Sequence, residues 1–462
     1  MRNTPTPRLG CCALLWSLCT LAAASVGICA QNVELRELAR PGGMYTRLIV
    51  DERVNRGLPI VAYHDDASAQ LGVLRTIYCR DAACKARDDY VVAAGGRALD
   101  VRVVAAKLAP LAAPAVWPLP RRASRAAARS SGVLLLAFCA DDGVLRAATC
   151  AAEGCAEPRL GSQLANNCDL HISLLDGEGE RPPLVAYRGN TDSAMSRAVF
   201  VATCSDALCT QPAGAPVLLA PGGYPSIARS PETGLPLVAM QLNASADDAL
   251  VTALVACDSA DCARAVSLVA SLGAPSADTG RYTSLLPPLT GDGSEPWLLF
   301  DFDAQSNDLT VVTCSEGPPL RCSAPRILAS AGAATYGEYI HASRAPDGNA
   351  AVAFYRQESA RRGVLAVSTC TDAACLDAKL ETIAAGGCGF GRDSSLAWGT
   401  RVRQGEPLAY LSFMAYAVNA SKRATMLAVL HKPPDASGMP ADLTGFADLC
   451  DSSELSSSRV ES

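Results

Sequence analysis

The sequence has little that would suit it to nucleic acid, to a bundle of membrane-spanning segments or to a histidine-rich metal site. Its 462 residues include 40 Lys and Arg against 46 Asp and Glu, a formal net charge of -6 that offers no general basic field to a polyanion. Only four histidines are present, and a single apolar run, at the N-terminus, is long enough to cross a bilayer. The sequence therefore predicts no nucleic-acid partner and no membrane span after that first run.

Motifs that mark the common enzyme classes are missing as well. The chain contains no nucleophile elbow, zincin helix, phosphate-binding loop or dinucleotide fingerprint. Carboxylates are abundant enough to supply an acid and a base, but glycosidase chemistry depends on a separation in space that the sequence does not give. The sequence predicts no cofactor and names no catalytic residue, which favours a role other than catalysis.

The N-terminal run has the layout of a secretory signal peptide. Arg2 and Arg8 precede an uncharged stretch that ends in small residues, and cleavage is expected after Ala30. An uncleaved signal anchor is the alternative, because about 20 apolar residues can span a bilayer. Residues 1–30 are therefore assigned to the leader, and the protein is predicted to be secreted, or periplasmic if its source is bacterial.

Cysteine, in contrast, is abundant: the chain has 20, and four of them lie in the leader. Most of the others recur as a C-x4-C pair, and from Cys150 onward the first cysteines of successive pairs are 54, 53, 57 and 56 residues apart. Such a period indicates one structural unit repeated along the chain rather than several different domains. The pairs are Cys79 with Cys84, Cys150 with Cys155, Cys204 with Cys209, Cys257 with Cys262 and Cys370 with Cys375, and Cys314 with Cys322 is a longer version.

Each repeat also contains four short apolar runs of strand length, such as YTSLLPP, EPWLLFDF, DLTVVTC and APRILAS in the fifth. Seven such repeats predict an all-β, seven-bladed β-propeller of four-stranded antiparallel blades over residues 31–433, with 434–462 as a C-terminal tail. The seventh repeat has no clear fourth strand, whereas NVELREL (32–38) precedes the first repeat. The N-terminal strand is therefore expected to close the ring by completing the last blade. An open solenoid is the alternative, although no capping unit is seen.

The second repeat is irregular. It carries an insertion rich in Ala and Pro at about 96–131, which includes Arg121, Arg122, Arg125 and Arg129. Four arginines could bind an anion, but a solvated loop is the simpler interpretation.

The repeat pattern can be written as G-Y-x-S-[IL], then [LP]-P-x-V-A-[YF], then L-x-V-x-x-C-x4-C. It resembles the cysteine-hairpin β-propeller repeats of secreted, mostly uncharacterised microbial proteins, and the resemblance covers nearly the whole mature chain. The sequence lacks the S-x-D-x-G-x-T-W boxes of sialidase propellers and the W-D endings of WD40 repeats. Its Gly-Gly pairs precede the first strand of a blade, whereas kelch repeats need them after the second. The resemblance implies a propeller fold and no particular activity.

In this layout each cysteine pair flanks the turn between the third and fourth strands of a blade. Facing residues of such a hairpin lie about 4.5 to 5.5 Å apart at Cα, which suits a disulfide. Six hairpin disulfides are therefore predicted, with zinc binding as the alternative. Cys139 ends the second strand of blade two and Cys168 precedes the first strand of blade three, so the two should lie on one face and pair. Cys388 and Cys450 then remain for each other by elimination.

The innermost strands carry the leading candidate for a binding site. Two positions of the repeat lie two residues apart along the strand. The first holds Tyr or His, and the second holds Arg, Ser or His. Strand alternation places both side chains on the same side. If that side faces the central channel, the side chains form stacked rings at its mouth, where tyrosine suits a sugar or a peptide side chain. The alternative is that the tyrosines wedge the blades together and the serines satisfy one another. The first position holds Tyr45, His171, Tyr224, Tyr282 and Tyr339, and the second holds Arg47, Ser173, Ser226, Ser284 and His341.

The loops between second and third strands are polar and often acidic, as at Asp65-Asp66 and at Asp301-Phe302-Asp303. Grouped carboxylates can hold calcium, but Asp and Asn are also ordinary turn residues, and no D-x-D-x-D-G loop is present. Two Asn-Ala-Ser sequons fall in the same loops and are candidate glycosylation sites if the source is a eukaryote. They begin at Asn243 and Asn419.

Together these features predict a secreted, monomeric binding or interaction module that recognises an extracellular glycan or protein through one propeller face. A hydrolase or lyase that acts on extracellular polysaccharide, with His171 or His341 as acid or base, is the first alternative. A scaffold without a small ligand is the second.

Overall fold

The structure is a computed structural model that describes residues 33–40, 42–65, 72–105, 132–179, 181–191, 197–243, 250–263, 266–272, 278–315, 320–330, 335–359, 362–386, 391–399, 407–415 and 423–431. These residues form β-strands and one short 3-10 helix, Asn55–Gly57. None of the described helical segments is long and apolar enough to cross a membrane. The predicted leader, the C-terminal tail, the four-arginine cluster, Cys388, Cys450 and Asn419 lie outside the described residues.

The strands in chain order are β1 (Val33–Ala39), β2 (Met44–Ile49), β3 (Ile60–Asp65), β4 (Val73–Cys79), β5 (Arg87–Ala94), β6 (Ala98–Ala105), β7 (Gly132–Cys139), β8 (Leu145–Ala151), β9 (Gly154–Ala165), β10 (Cys168–Leu175), β11 (Leu184–Asn190), β12 (Arg197–Thr203), β13 (Val217–Arg229), β14 (Pro236–Asn243), β15 (Leu250–Cys257), β16 (Val266–Leu272), β17 (Arg281–Leu286), β18 (Trp297–Asp303), β19 (Asp308–Ser315), β20 (Arg321–Cys322), β21 (Arg326–Ala329), β22 (Thr335–Arg344), β23 (Ala350–Ser359), β24 (Arg362–Cys370), β25 (Ala378–Gly386), β26 (Arg392–Trp398), β27 (Pro407–Ala415) and β28 (Ala424–His431).

The described strands form a β-propeller whose blades are antiparallel and mostly four-stranded. Four sheets have four strands each: β2 to β5, β6 to β9, β22 to β25, and β26 to β28 with β1. A five-stranded sheet runs from β17 to β21, with both β20 and β21 paired to β19, and a seven-stranded sheet runs from β10 to β16. Each inner strand is followed along the chain by its neighbour in the sheet, which is the arrangement that the four apolar runs per repeat predicted.

The prediction of seven blades is wrong, because the described strands form six sheets. The physical reason is the continuity of β13. Its first part pairs with β12 as far as Pro221, and the next residues, from Gly222 onward, pair with β14. No break in hydrogen bonding separates the third repeat from the fourth, so these two repeats share one sheet and one strand.

The ring is closed by the N-terminal strand, as predicted. β1 pairs antiparallel with β28 through six aligned positions, from Val33 opposite Leu430 to Ala39 opposite Thr425. The inner strands contact one another in an unbroken circle of β2, β6, β10, β13, β17, β22, β26 and again β2. An open solenoid is therefore excluded.

The core lies between neighbouring sheets. Each middle strand has another sheet on both of its faces, so its sequence is mostly apolar, and all eight residues of β7 are buried. Ile60 and Tyr78, from the first sheet, pack with Leu134 and Phe138 of β7. The outer strands face solvent on one side, and the side chains of β5 alternate between exposed and partly buried positions. β6 is a regular inner strand, although it lies inside the range 96–131 that the sequence marks as irregular.

Seven disulfides are present among the described residues, and they join the cysteines that the sequence paired. The five C-x4-C bridges span 4.7 to 5.0 Å between Cα atoms, the longer hairpin bridge spans 4.0 Å, and the bridge between two blades spans 5.6 Å. The bridges join Cys79 with Cys84, Cys150 with Cys155, Cys204 with Cys209, Cys257 with Cys262, Cys370 with Cys375, Cys314 with Cys322 and Cys139 with Cys168. No group of three or more His, Cys, Asp or Glu side chains that could hold a metal ion is found in the described part of the chain.

An aspartate organises the turn of several cysteine hairpins. In the first hairpin the Asp81 carboxylate accepts the backbone N–H groups of Lys85 and Ala86. Burial would raise the pKa of Asp81, but these N–H groups outweigh it, and the net pKa is lowered.

The second cysteine of most C-x4-C hairpins adopts a left-handed backbone, which lets the short turn close. The residues with this conformation are Cys84, Cys209, Cys262 and Cys375, with φ of 54°, 57°, 56° and 54°. Cys155 differs because it lies within β9, just after a turn at which Ala151 pairs with Gly154. All five second cysteines are buried, so the predicted bridges tie the hairpins into the blades.

Candidate functional site

The candidate tyrosines lie at the start of the inner strands, where the backbone is bulged. The register of β2, β13, β17, β22 and β26 with the adjacent strand shifts at this position. The residue at the bulge is left-handed, with φ of 58° at Tyr45, 51° at Tyr224, 53° at Tyr282, 54° at Tyr339 and 51° at Asp393. A bulge re-aims a side chain. The left-handed region costs a non-glycine residue about 1 to 2 kcal/mol, and such strain is concentrated at functional sites.

Four of the predicted rings form a continuous row across neighbouring inner strands. The centroid of His171 lies 4.1 Å from that of Tyr224, Tyr224 lies 4.9 Å from Tyr282, and Tyr282 lies 4.7 Å from Tyr339. Burial raises the pKa of the Tyr282 and Tyr339 phenols, so they are neutral at physiological pH. The row presents aromatic surface and hydroxyl groups at one end of the channel.

Residues of the second strands support the row from behind. Arg188, on β11, lies over the Tyr224 ring at 5.9 Å from its centroid. It is itself held by Asp169, whose carboxylate lies 2.7 Å from the guanidinium. Tyr45 is not part of the row; its ring neighbours His64 on β3, with a centroid separation of 6.4 Å. The structure therefore brings four of the five predicted rings together and leaves the fifth on the far side of the mouth.

A cavity of about 90 Å³ lies among these rings. Besides the five predicted ring residues it is lined by Arg47 and by Asp393, which takes the tyrosine position on β26. Asp393 is 8% exposed, and burial raises its pKa. This volume suits a few water molecules rather than a sugar ring, which needs a pocket of several hundred Å³. A larger ligand would therefore lie over the cavity, against the row of rings.

The second repeat position, the one held by Ser226 and Ser284, has a structural role. This role differs from the expected one, in which the serines bond to one another. The serines do not bond to one another; each side chain accepts a backbone N–H from the following inner strand. Ser226, for example, accepts the N–H of Leu285 at 2.9 Å, and Ser284 accepts that of Ala342 at 3.0 Å. Arg47 is the exception, because it has no acceptor to offer, and its Nε lies 3.6 Å from the Asp100 carboxylate. The other acceptors are Asp100 for Leu174, Ser173 for Ile227, His341 for Leu396 and Ser395 for Leu48.

Neither candidate histidine tends to take up a proton, and His341 has no free basic nitrogen for chemistry. His341 Nδ1 accepts the N–H of Leu396 at 3.2 Å. Burial, assisted by Arg47, lowers the pKa of His341 to about 3. Burial, assisted by Arg188, lowers the pKa of His171 well below its ordinary value. Both imidazoles are therefore neutral at physiological pH.

Sequence reasoning missed the charged residues that immediately precede the bulge on three consecutive inner strands. These are Arg281, Glu338 and Arg392. Arg281 is bound by both oxygens of Asp278, at 3.1 and 2.6 Å. Glu338 and Arg392 are half-buried at the mouth, and burial raises the pKa of Glu338 despite these two arginines. The available signal was their place in the repeat, one residue before the tyrosine position.

One carboxylate of the acidic loops is committed to the fold. Asp301 is 1% exposed and points into the blade, where its carboxylate accepts hydrogen bonds from the hydroxyls of Thr252 and Thr310 and the N–H of Gly280. Burial raises its pKa. Asn243 is exposed at the end of β14, which leaves its predicted glycosylation sterically free at that side chain.

A second cavity, of about 360 Å³, lies at the opposite ends of the inner strands. It is lined by aliphatic side chains, Trp398, two aspartates and three arginines, Arg53, Arg102 and Arg344. Arg53 is compensated by Asp51 at 2.6 Å and Arg102 by Asp100 at 3.2 Å, and Arg344 donates to the carbonyl of Gly348 at 3.1 Å. No row of aromatic rings lines this cavity, so the tyrosine mouth is the better candidate site.

No protein-family model matches the sequence, and no curated protein matches it. Among solved structures, the chain is similar to a periplasmic gluconolactonase of Pseudomonas aeruginosa, with 12% identity and a TM-score of 0.48 over 83% of this chain and 97% of that one. It is also similar to a protein of unknown function from Dyadobacter fermentans, with 12% identity and a TM-score of 0.45 over 65% and 91% of the two chains. An α-L-arabinofuranosidase of Fusarium graminearum gives 10% identity and a TM-score of 0.36 over 56% and 92%. Likeness at this level says nothing about activity.

Proposed function

We propose that this protein is a secreted, carbohydrate-binding propeller that holds a sugar ring against the row formed by His171, Tyr224, Tyr282 and Tyr339. The observation that carries the proposal is the continuity of this row, with centroids 4.1 to 4.9 Å apart on neighbouring strands. Three of the four residues sit at left-handed bulges, which re-aim their side chains.

The chemistry of the mouth suits a carbohydrate. Aromatic faces cover the apolar C–H surface of a sugar ring, and tyrosine hydroxyls and flanking charged groups exchange hydrogen bonds with its hydroxyls. Arg281 is fixed by Asp278, so this donor is pre-positioned rather than mobile. Pre-positioning reduces the entropy lost when a ligand binds.

Secretion is part of the proposal and rests on the leader and the disulfides. Six hairpin bridges and one longer bridge occur among the described residues, and such bonds persist in oxidising compartments. The hairpin bridges also support the proposed kinship with secreted cysteine-hairpin repeats.

The alternatives have less support at the named residues. A hydrolase that uses His171 or His341 needs a histidine that titrates near neutrality, whereas both are held neutral by burial. A protein partner would use the same mouth for a side chain. A scaffold without a ligand would leave the aromatic surface of the row without a role.

The proposal is tested with a glycan array followed by calorimetry on the best glycan. Tyr282→Ala removes one ring from the centre of the row and should abolish binding, and Tyr282→Phe removes only its hydroxyl and should weaken binding several-fold. Tyr187→Phe is the matched control, because Tyr187 is buried against Phe200 away from the mouth, at a centroid distance of 5.5 Å. A blank array together with capture of a defined protein ligand would refute carbohydrate binding.

A further inference from the structure

Two oppositely charged side chains beside the row of rings have no ion-pair partner among the described residues. The Glu338 and Arg392 side chains make no hydrogen bond or ion pair with any described residue. The Arg392 Nε is buried without a hydrogen-bond partner, and both residues are half-buried as a whole. Arg281, which shares the same repeat position, is in contrast paired to Asp278. An acceptor and a donor that the fold leaves without a hydrogen bond at one site are groups that a ligand can use.

The two residues are placed against the row of rings. The Arg392 guanidinium lies 5.8 Å from the Tyr339 centroid and 5.3 Å from that of Tyr355, so both rings orient it. Glu338 directly precedes Tyr339 on β22, and its backbone lies opposite Tyr355 on β23. One tyrosine therefore has the carboxylate as its chain neighbour and the guanidinium over its ring.

The Glu338 carboxylate and the Arg392 guanidinium are close to each other without forming an ion pair. They interact electrostatically, but they do not approach within the 4.0 Å of an ion pair. A gap between a carboxylate and a guanidinium is filled well by a pair of neighbouring hydroxyls, since one donates to the carboxylate and the other accepts from the guanidinium. A ligand with a net charge would satisfy one group and be repelled by the other.

We propose that Glu338 and Arg392 form a donor–acceptor clamp that selects a neutral sugar with adjacent free hydroxyls over acidic and amino sugars. This inference rests on the proposed function and adds the class of sugar and the residues that determine it. Glu338 accepts a hydrogen bond from one hydroxyl, and Arg392 donates to its neighbour.

The test measures affinity for six methyl glycosides by calorimetry. In the gluco and the galacto series these are the neutral glycoside, the uronide with a carboxylate at C6, and the 2-amino glycoside. The protein is expected to prefer the neutral member of one series. Glu338→Gln and Arg392→Gln should each reduce that affinity about tenfold, because a hydrogen bond to a charged group is lost.

The variants should also change selectivity in opposite directions, which a merely structural role would not do. Glu338→Gln should raise the uronide relative to the neutral glycoside, and Arg392→Gln should raise the amino glycoside. Glu157→Gln and Arg87→Gln are the matched controls, since both residues are exposed on outer strands and their loss changes net charge equally.

The outcomes separate the two proposals. If the unaltered protein binds a glycoside and the mouth variants keep the affinity and selectivity of the controls, the clamp is wrong while carbohydrate binding stands. If Tyr282→Ala also leaves that binding intact, the sugar sits elsewhere and both are wrong. If the unaltered protein binds none of the six glycosides and the glycan array is blank, carbohydrate binding fails and the clamp fails with it.

Discussion

At the scale of single residues, one repeat position shows how different side chains make the same contact. Ser226 and Ser284 accept a backbone N–H from the next inner strand through a hydroxyl, and His341 does so through Nδ1. The inner strands of neighbouring repeats are thereby linked without a shared ladder. His341, unlike serine, can take up a proton, and a protonated Nδ1 cannot accept the N–H of Leu396. This hydrogen bond is therefore sensitive to pH.

We predict that replacing His341 with serine, the residue that four other repeats have here, removes part of the acid sensitivity. The pKa of His341 is about 3 in the fold and about 6.5 in the unfolded chain. Between these values the unfolded chain binds the proton, so the free energy of unfolding falls as pH decreases from about 6.5. At pH 5 the loss is about 2 kcal/mol, from about 1.4 kcal/mol per pKa unit.

Urea unfolding of both proteins at pH 7 and pH 5 measures this difference. The serine variant should lose about 2 kcal/mol less than the parent between the two pH values. His171 changes the free energy of unfolding with pH in the same direction as His341, whereas Glu338 and Asp393, whose pKa values are raised, change it in the opposite direction. Because these three groups are present in both proteins, their effects cancel when the two proteins are compared. Equal losses would show that His341 is not held neutral.

At the scale of elements, the inner strand combines two tasks that conflict locally. Its later residues pair regularly and build the ring, whereas its first residues bulge and take a backbone that suits glycine better than tyrosine. The tyrosine at the bulge therefore lowers the free energy of unfolding, while the bulge aims its ring at the mouth. The cost of the left-handed backbone can be measured by replacing the tyrosine with glycine and with alanine.

We predict that Tyr339→Gly is more stable than Tyr339→Ala by about 1 kcal/mol, because φ at this residue is 54° and glycine adopts it without strain. Both variants lose the same ring and should lose glycan binding equally. Ile340 is the control, since it is the next residue on β22 and is not left-handed. There the order should reverse, with Ile340→Ala more stable than Ile340→Gly. The same order at both positions in urea unfolding would mean that the tyrosine backbone is not strained.

At the scale of the whole molecule, the ring depends on a strand from the opposite end of the chain. β1 covers the edge of β28 and buries Val33 and Leu38. Burying two aliphatic side chains of this size contributes about 3 to 6 kcal/mol, a large part of the stability of an ordinary domain. Without β1 the edge of β28 would be left unpaired.

Deletion of residues 33–39 should therefore lower the melting temperature by about 10 °C or more. A peptide of sequence VELRELA, added in excess, should restore much of the loss because it can pair with β28 in trans. A scrambled peptide should not. If the deletion leaves the melting temperature unchanged, β1 does not close the ring in solution.

The sequence by itself determined the strands, the repeat, the closing strand and the seven disulfides among the described residues. It could do so because these features depend on local patterns: apolar runs between turn residues, a regular cysteine spacing, and the short reach of a hairpin. The pairing of Cys139 with Cys168 followed in the same way, from the ends of two strands on one face. The tyrosine position was also visible, because alternation along a strand is a local rule.

Only the tertiary structure decided how the repeats join and what the candidate residues do. Whether β13 breaks between two repeats depends on hydrogen bonds that no spacing encodes, and it is continuous, so six sheets form instead of seven. The roles of His341 and Glu338 depend on which neighbours other strands bring to them. His341 accepts a backbone N–H, which occupies its basic nitrogen, whereas Glu338 has no hydrogen-bond donor among the described residues. Both outcomes depend on contacts between residues that are distant in the chain.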